Sequence, residues 1–117
     1  MEAFPEHSFS MEELQIHNFL CEWLQDAHIK REKIKFVNPT TQERYFPDWI
    51  VDFQGHTYII EYFGLYHSNK YKGYREKSNR KITFFQNLDG YIFFPIFPED
   101  FKGVGFDGIK NKFNTLL

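Results

Sequence analysis

The sequence predicts a single α/β domain in which one helix precedes three strands and a second helix leads into a fourth, an αβββαβ order giving a mixed four-stranded sheet flanked by helices. Three observations predict it. A length of 117 residues suits one hydrophobic core. Hydrophobic residues make up 42% of the chain and aromatic residues 21%, apolar surface enough to exclude a disordered chain. The spacing of apolar residues switches from helical to alternating and back along the chain.

The first helix is expected from Ser10 to about Ala27. Ser10 is a fitting N-cap with Glu13 three residues on, and Ile16, Leu20, Trp23 and Ala27 recur on one stripe. "KIKFVNPTTQ" alternates Ile34 and Phe36 with lysines and breaks at Asn38-Pro39, which predicts a strand and a turn. "RYFPDWIVDF" and "HTYIIEYF" are rich in β-branched and aromatic residues and flank Gln54-Gly55, so a hairpin is expected. From about Asn69 to Asn87 a second helix places Tyr71, Tyr74, Ser78, Ile82 and Phe85 inward. "GYIFFPIF" is the fourth strand, and Pro95 assigns it an edge position or a strand end. A short helix over 107–117 closes the chain with Ile109, Phe113 and Leu116 facing inward.

Cys21 is the only cysteine, which excludes an internal disulfide framework, argues against a cysteine-rich zinc site and fits a reducing cytoplasm. "MEAFPEHSFS" carries no basic segment followed by an apolar run, and no stretch approaches the roughly 20 apolar residues of a membrane span. A soluble, unexported protein is expected, in the cytoplasm of its own cell or of a host if phage-encoded. The net charge is −2, yet "KYKGYREKSNRK" from Lys70 to Lys81 holds six cations against Glu76 alone, or +5, leaving −7 for the rest. Lys70, Lys72, Arg75, Arg80 and Lys81 are thereby candidate phosphate contacts, with DNA as the partner. A solvated helix face is the plainer account of the same charges.

The centre of the chain is acidic in a patterned way. Counting outward from Gln54-Gly55, Asp48 and Glu61 each lie six residues away and so roughly opposite on the hairpin. Carboxylates inside buried strands need a cationic partner. Magnesium takes one or two carboxylates together with water and phosphate oxygens, and strands ~4.8 Å apart let two such side chains share one ion. The duller account makes Glu61 half of an ion pair with a helix lysine and Asp48 a companion of Pro47 at a strand start. Asp52 sits beside the turn and is expected in solvent.

These residues resemble the PD-(D/E)XK nuclease superfamily: Pro47-Asp48 in one strand, Glu61 in the next and an acidic residue in the preceding helix. "IEYFG" followed by His67 is similar to the Ile-Glu-x-x-Gly-x-x-His pattern of the branch around very-short-patch-repair endonucleases and related phage and homing nucleases. The resemblance implies a restriction-endonuclease-like fold and a Mg2+- or Mn2+-dependent DNA endonuclease. It further implies that the Tyr62 carbonyl joins Asp48 and Glu61 as a metal ligand and that Glu13 orients water. The Ser10 capping box explains Glu13 equally well, and Glu12 and His17 compete for the same part.

One position departs from the family: its lysine belongs two residues after the glutamate, where this chain has Phe63. His67 is the first substitute, since it titrates near neutrality and can exchange a proton with water or the leaving oxygen. Lys77 is the second, on a helix flank with Lys70 and Lys81, and either Lys77 or Lys81 can project back toward the carboxylates. Tyr66, Tyr71 and Tyr74 beside the lysines are suited to stacking on bases.

Other chemistries find no footing. Gly103-Val-Gly105 lacks the strand-to-helix setting of a phosphate loop, the five histidines include no pair at zinc-helix spacing, and Cys21 sits among apolar residues as a packed thiol. The expected function is hydrolysis of DNA phosphodiesters, with a Holliday-junction-resolvase-like nuclease and a catalytically inactive DNA-binding or assembly module as alternatives. So small a domain fits a homodimer or a DNA-targeting protein partner.

Overall fold

The computed structural model describes residues 10–31, 34–68 and 73–116. It is an α/β fold with three helices and a mixed four-stranded sheet. Helix α1, Met11–Trp23, starts at the expected box: Ser10 Oγ accepts from the Glu13 N–H at 3.1 Å, and the Glu13 carboxylate accepts from the Ser10 N–H at 3.4 Å. Its stripe of Ile16 and Leu20 is fully buried. The helix stops short of Ala27, whose N–H instead bonds the Leu24 carbonyl in a turn. That turn feeds strand β1, His28–Lys30, directly into the sheet.

This is the first correction to the expected order, which put the leading strand at Ile34 and Phe36. Phe36–Val37 (β2) pairs antiparallel with Arg44–Tyr45 (β3) in a ribbon of its own, outside the main sheet. Asn38 closes the ribbon's turn, its side-chain oxygen accepting from the Thr40 and Thr41 N–H groups. "RYFPDWIVDF" is accordingly two strands, β3 and then β4, Trp49–Phe53. Pro47 lies between them and has no N–H to give a ladder.

The expected hairpin is present. Gln54 and Gly55 have φ of 50° and 82°, the paired positive values of a type I′ turn, and they join β4 to β5, His56–Tyr62. Helix α2, Tyr74–Gln86, crosses over to β6, Ile92–Ile96, which lies parallel to β5. The order β1-β4-β5-β6 leaves β6 at an edge, where the missing N–H of Pro95 is tolerated. Helix α3, Asp107–Asn114, buries Ile109 and Phe113, but Leu116 falls past its end and is exposed, contrary to the expected inward position.

Alternation along β5 divides the interior in two. Tyr58, Ile60 and Tyr62 face α1 and α3, in a cluster with Ile16, Leu20, Trp49, Phe94 and Phe113. Ile59 and Phe63 face α2, packed with Tyr45, Phe85 and Phe93. Glu61 is in phase with Ile59 and Phe63 and so belongs to the α2 side. No helix among the described residues is long and apolar enough to cross a membrane.

Candidate active site

The register Trp49↔Ile60 extends by one step to set Asp48 opposite Glu61 at the open end of the hairpin. The two side chains lock across the strands. Glu61 Oε1 accepts from the Asp48 N–H, and Asp48 Oδ2 accepts from the Tyr62 N–H, both at 2.9 Å. Glu61 is only 7% exposed. Burial, together with the Asp48 carboxylate, pushes its carboxyl up to about 8 against the downward pull of Lys81. Asp48 is also raised, by burial first and by Glu13 second, while the Tyr62 N–H, Lys81 and Arg31 oppose the shift.

Two cations meet this pair. Lys81 Nζ stands 2.6 Å from Glu61 Oε2 and 3.3 Å from the Phe46 carbonyl oxygen. Arg31 donates to the Asp48 carbonyl at 2.7 Å, lies 3.7 Å from Asp48 Oδ1 and reaches Glu13 Oε2 at 3.3 Å, its guanidinium 5.2 Å from the centre of the Trp49 ring. Glu13 therefore caps α1 and also meets Asp48 through a shared arginine.

A cleft of about 380 Å³ opens beside these groups, lined by Glu13, Asp48, Glu61, Tyr62 and Tyr74 among others. Glu12 lines it too, accepting from the Tyr62 hydroxyl at 2.7 Å and pairing with Lys102 at 3.0 Å. The Tyr62 hydrogen bond holds Glu12 below the usual carboxylate range. Burial and Glu12 raise the Tyr62 phenol. Gly64 is needed here for space, because a Cβ at that position would stand 2.8 Å from the Tyr62 ring.

The two substitutes ranked first for the missing lysine are placed elsewhere. His67 is exposed and pairs with Glu99 at 3.1 Å, outside the cleft lining. Lys77 is exposed on α2, and its described influence is on Glu43. Lys81, counted chiefly among the phosphate contacts, turns inward instead. Tyr74, Ser78, Lys81 and Phe85 share one stripe of α2, whereas Lys77 is a step out of phase with it. Phe63 is 2% exposed and stacks on Phe97 at 5.5 Å, so this point of β5 is core.

Among the described residues the basic face is partly neutralised or turned inward. Arg80 pairs with Glu43 at 3.2 Å, and Arg75 donates to the Tyr66 carbonyl at 3.1 Å and lies over that ring. Lys70, Lys72 and Tyr71 lie outside the described residues. Arg31 and Lys102 are contributors to which the sequence gives little signal. Arg31 directly follows the short strand His28–Lys30, whose single apolar residue, Ile29, is too little pattern to mark it. His17 accepts from the Trp49 indole N–H at 3.1 Å, and burial followed by Arg31 lowers its titration, so it serves the core next to the site. Asp52 pairs with Lys30 at 3.1 Å at the far end of the hairpin.

Among the described residues no three His, Cys, Asp or Glu side chains form a metal-holding cluster. No family model matches the chain, and neither the curated proteins nor the solved structures compared with it give a match.

Proposed function

We propose that this protein is a PD-(D/E)XK-type nuclease with a restriction-endonuclease-like core, a metal-dependent endonuclease acting on DNA phosphodiesters. The observation that carries this reading is the pairing of buried Glu61 with half-buried Asp48 at matched height, with Lys81 at 2.6 Å from Glu61. Two carboxylates forced together in a poorly solvated place each lose by ionising, and a divalent cation removes that cost. They fit magnesium or manganese better than zinc, because magnesium needs one or two carboxylates and keeps its waters. Asp48, Glu61 and the Tyr62 carbonyl would hold the ion, which when bound activates water and offsets phosphate charge.

The chain's own residues supply the rest. Lys81 delivers the ammonium that β5 does not, because Phe63 is committed to the core and α2 crosses the same face. From there it orients the attacking water or neutralises charge on a phosphate oxygen. Arg31 holds the Asp48 backbone and links it to Glu13, which fixes the carboxylate's direction before substrate arrives. His67, Lys77 and the exposed arginines of α2 are left to substrate contact at a distance from the carboxylates.

A second reading has an observation of its own. Arg31 and Lys81 already give each carboxylate a cation, which is what a structural ion-pair network in an inactive DNA-binding or assembly module would show. Cleavage of supercoiled plasmid and of a labelled four-way junction, with magnesium, manganese or neither, separates the two. The nuclease reading expects metal-dependent cutting that Asp48→Ala, Glu61→Ala and Lys81→Ala each remove from a folded protein. Cutting at the wild-type rate by Glu61→Ala, or DNA binding without cutting under either metal, sinks it in favour of the module. A strong preference for the junction together with a dimeric mass selects the resolvase-like form.

A further inference from the structure

A second cavity lies outside the site described above. A groove of about 790 Å³ runs between the β2–β3 ribbon and the outer side of α2, in the size range of small-molecule sites. The half-buried Phe84 forms its aromatic side, backed by the buried Tyr45 ring with centres 5.0 Å apart. Asn79 and Asn87 stand on the helix rim. The Asn79 oxygen is taken by the Tyr66 hydroxyl, which leaves its amide N–H groups to donate. The Asn87 nitrogen donates to the Thr83 carbonyl, which leaves its oxygen to accept.

Charge decides what the groove does not take. Its carboxylates are Glu43 and Asp89, and its one guanidinium, Arg80, is paired with Glu43. Phosphate is therefore disfavoured inside. A flat neutral group with its own donors and acceptors suits the aromatic side and the amide rim. The Asn79 amide can donate to a ring nitrogen or carbonyl of a base, and the Asn87 oxygen can accept from an exocyclic amine, so each offers one half of a base-edge contact.

Position decides which such group can arrive. Arg80 lines the groove and its neighbour Lys81 touches Glu61, so the groove and the cleft adjoin the same turn of α2. On the other side Tyr45 lines the groove and Asp48 the cleft, three residues apart. That stretch spans at most about 11 Å, and a stacked strand rises ~3.4 Å per nucleotide, so no more than about three stacked nucleotides bridge the two. We propose that the groove takes an unpaired base, displaced from the substrate strand within about three nucleotides of the scissile phosphate. The proposal rests on the nuclease reading for its substrate and narrows that substrate to DNA with a base out of the stack.

The test is fluorescence anisotropy of the whole protein, with calcium replacing magnesium, on two labelled duplexes that differ in one bulged residue. One carries an unpaired adenosine and the other an abasic sugar at the same place, so the two share length and backbone charge and differ in the base. The expected result is adenine binding about tenfold tighter than abasic, the size that stacking one base on an aromatic ring supplies. Thr83→Trp, on the exposed side of α2, fills the groove and should bring the ratio to about one. Equal affinities in the wild type, or a preference that survives Thr83→Trp, would overturn the base site. The plasmid assay reads the nuclease separately: metal-dependent cutting with a ratio of one removes the base site alone, and a base preference without cutting removes the catalysis and leaves the base site standing.

Discussion

Lys81 and Lys77 sit one helical turn apart and have opposite surroundings. Lys81 is 19% exposed and bonded to Glu61, whereas Lys77 is exposed. Lys81→Ala should lower metal-dependent cleavage by about 10²-fold or more, the range for losing one positioned charge or proton donor. Lys77→Ala and His67→Ala should each stay within about threefold, less than 1 kcal/mol of barrier. Single-turnover rates on a labelled duplex check all three, and a His67→Ala loss as large as that of Lys81→Ala would reverse the assignment. The sequence carried Asp48 and Glu61 openly, because hairpin residues equidistant from a two-residue turn must oppose one another. It also carried Lys81, through the spacing Tyr74, Ser78, Lys81 and Phe85, but charge drew the reading outward. A lysine on an inner stripe signals a buried acid waiting for it.

At the scale of elements, the start of α1 joins stability to chemistry. Ser10→Ala removes the cap from the Glu13 N–H and should cost about 1 kcal/mol in urea unfolding. Glu13→Gln keeps the box, since glutamine serves there too, but takes the charge away from Arg31. Cleavage lowered by Glu13→Gln with unfolding unchanged would therefore mark a part in the reaction, and the reverse pattern would mark a cap only. The stretch Glu61-Tyr62-Phe63-Gly64 at the end of β5 offers a similar test. Gly64→Ala places a methyl against the Tyr62 ring and should destabilise by roughly 1–3 kcal/mol, the cost of overpacking. It should also loosen the Tyr62–Glu12 hydrogen bond, seen as a downward shift of the tyrosine's titration in absorbance. Elements were legible where local chemistry was strong, as at the Ser10 box, Gln54-Gly55 and Pro95 on its edge. They failed at β1, where three residues carry too short a pattern, and at β2, whose clear alternation belongs to a ribbon outside the main sheet.

For the whole molecule, the buried carboxylates link folding, protons and metal. Glu61 is raised from its ordinary 4.5 to about 8 by burial and Asp48, so between those values the folded chain holds a proton that the unfolded chain has released. Linkage then makes stability fall as pH rises across that window: the contribution is complete below about 4.5 and gone once pH passes about 8. Without metal, the melting temperature should decline from pH 5 to pH 8, and Glu61→Gln should remove that part of the slope. Metal acts in the opposite sense, because it binds the ionised carboxylates and expels the proton. Ligand at 100 times its dissociation constant stabilises by ~2.7 kcal/mol, and the constant itself improves as the competing proton leaves. The melting-temperature rise on adding magnesium or manganese should thus grow from pH 6 to pH 8 and vanish in Glu61→Gln. A rise independent of pH, or unchanged by that substitution, would place the metal elsewhere and leave Lys81 and Arg31 as sufficient partners for the pair.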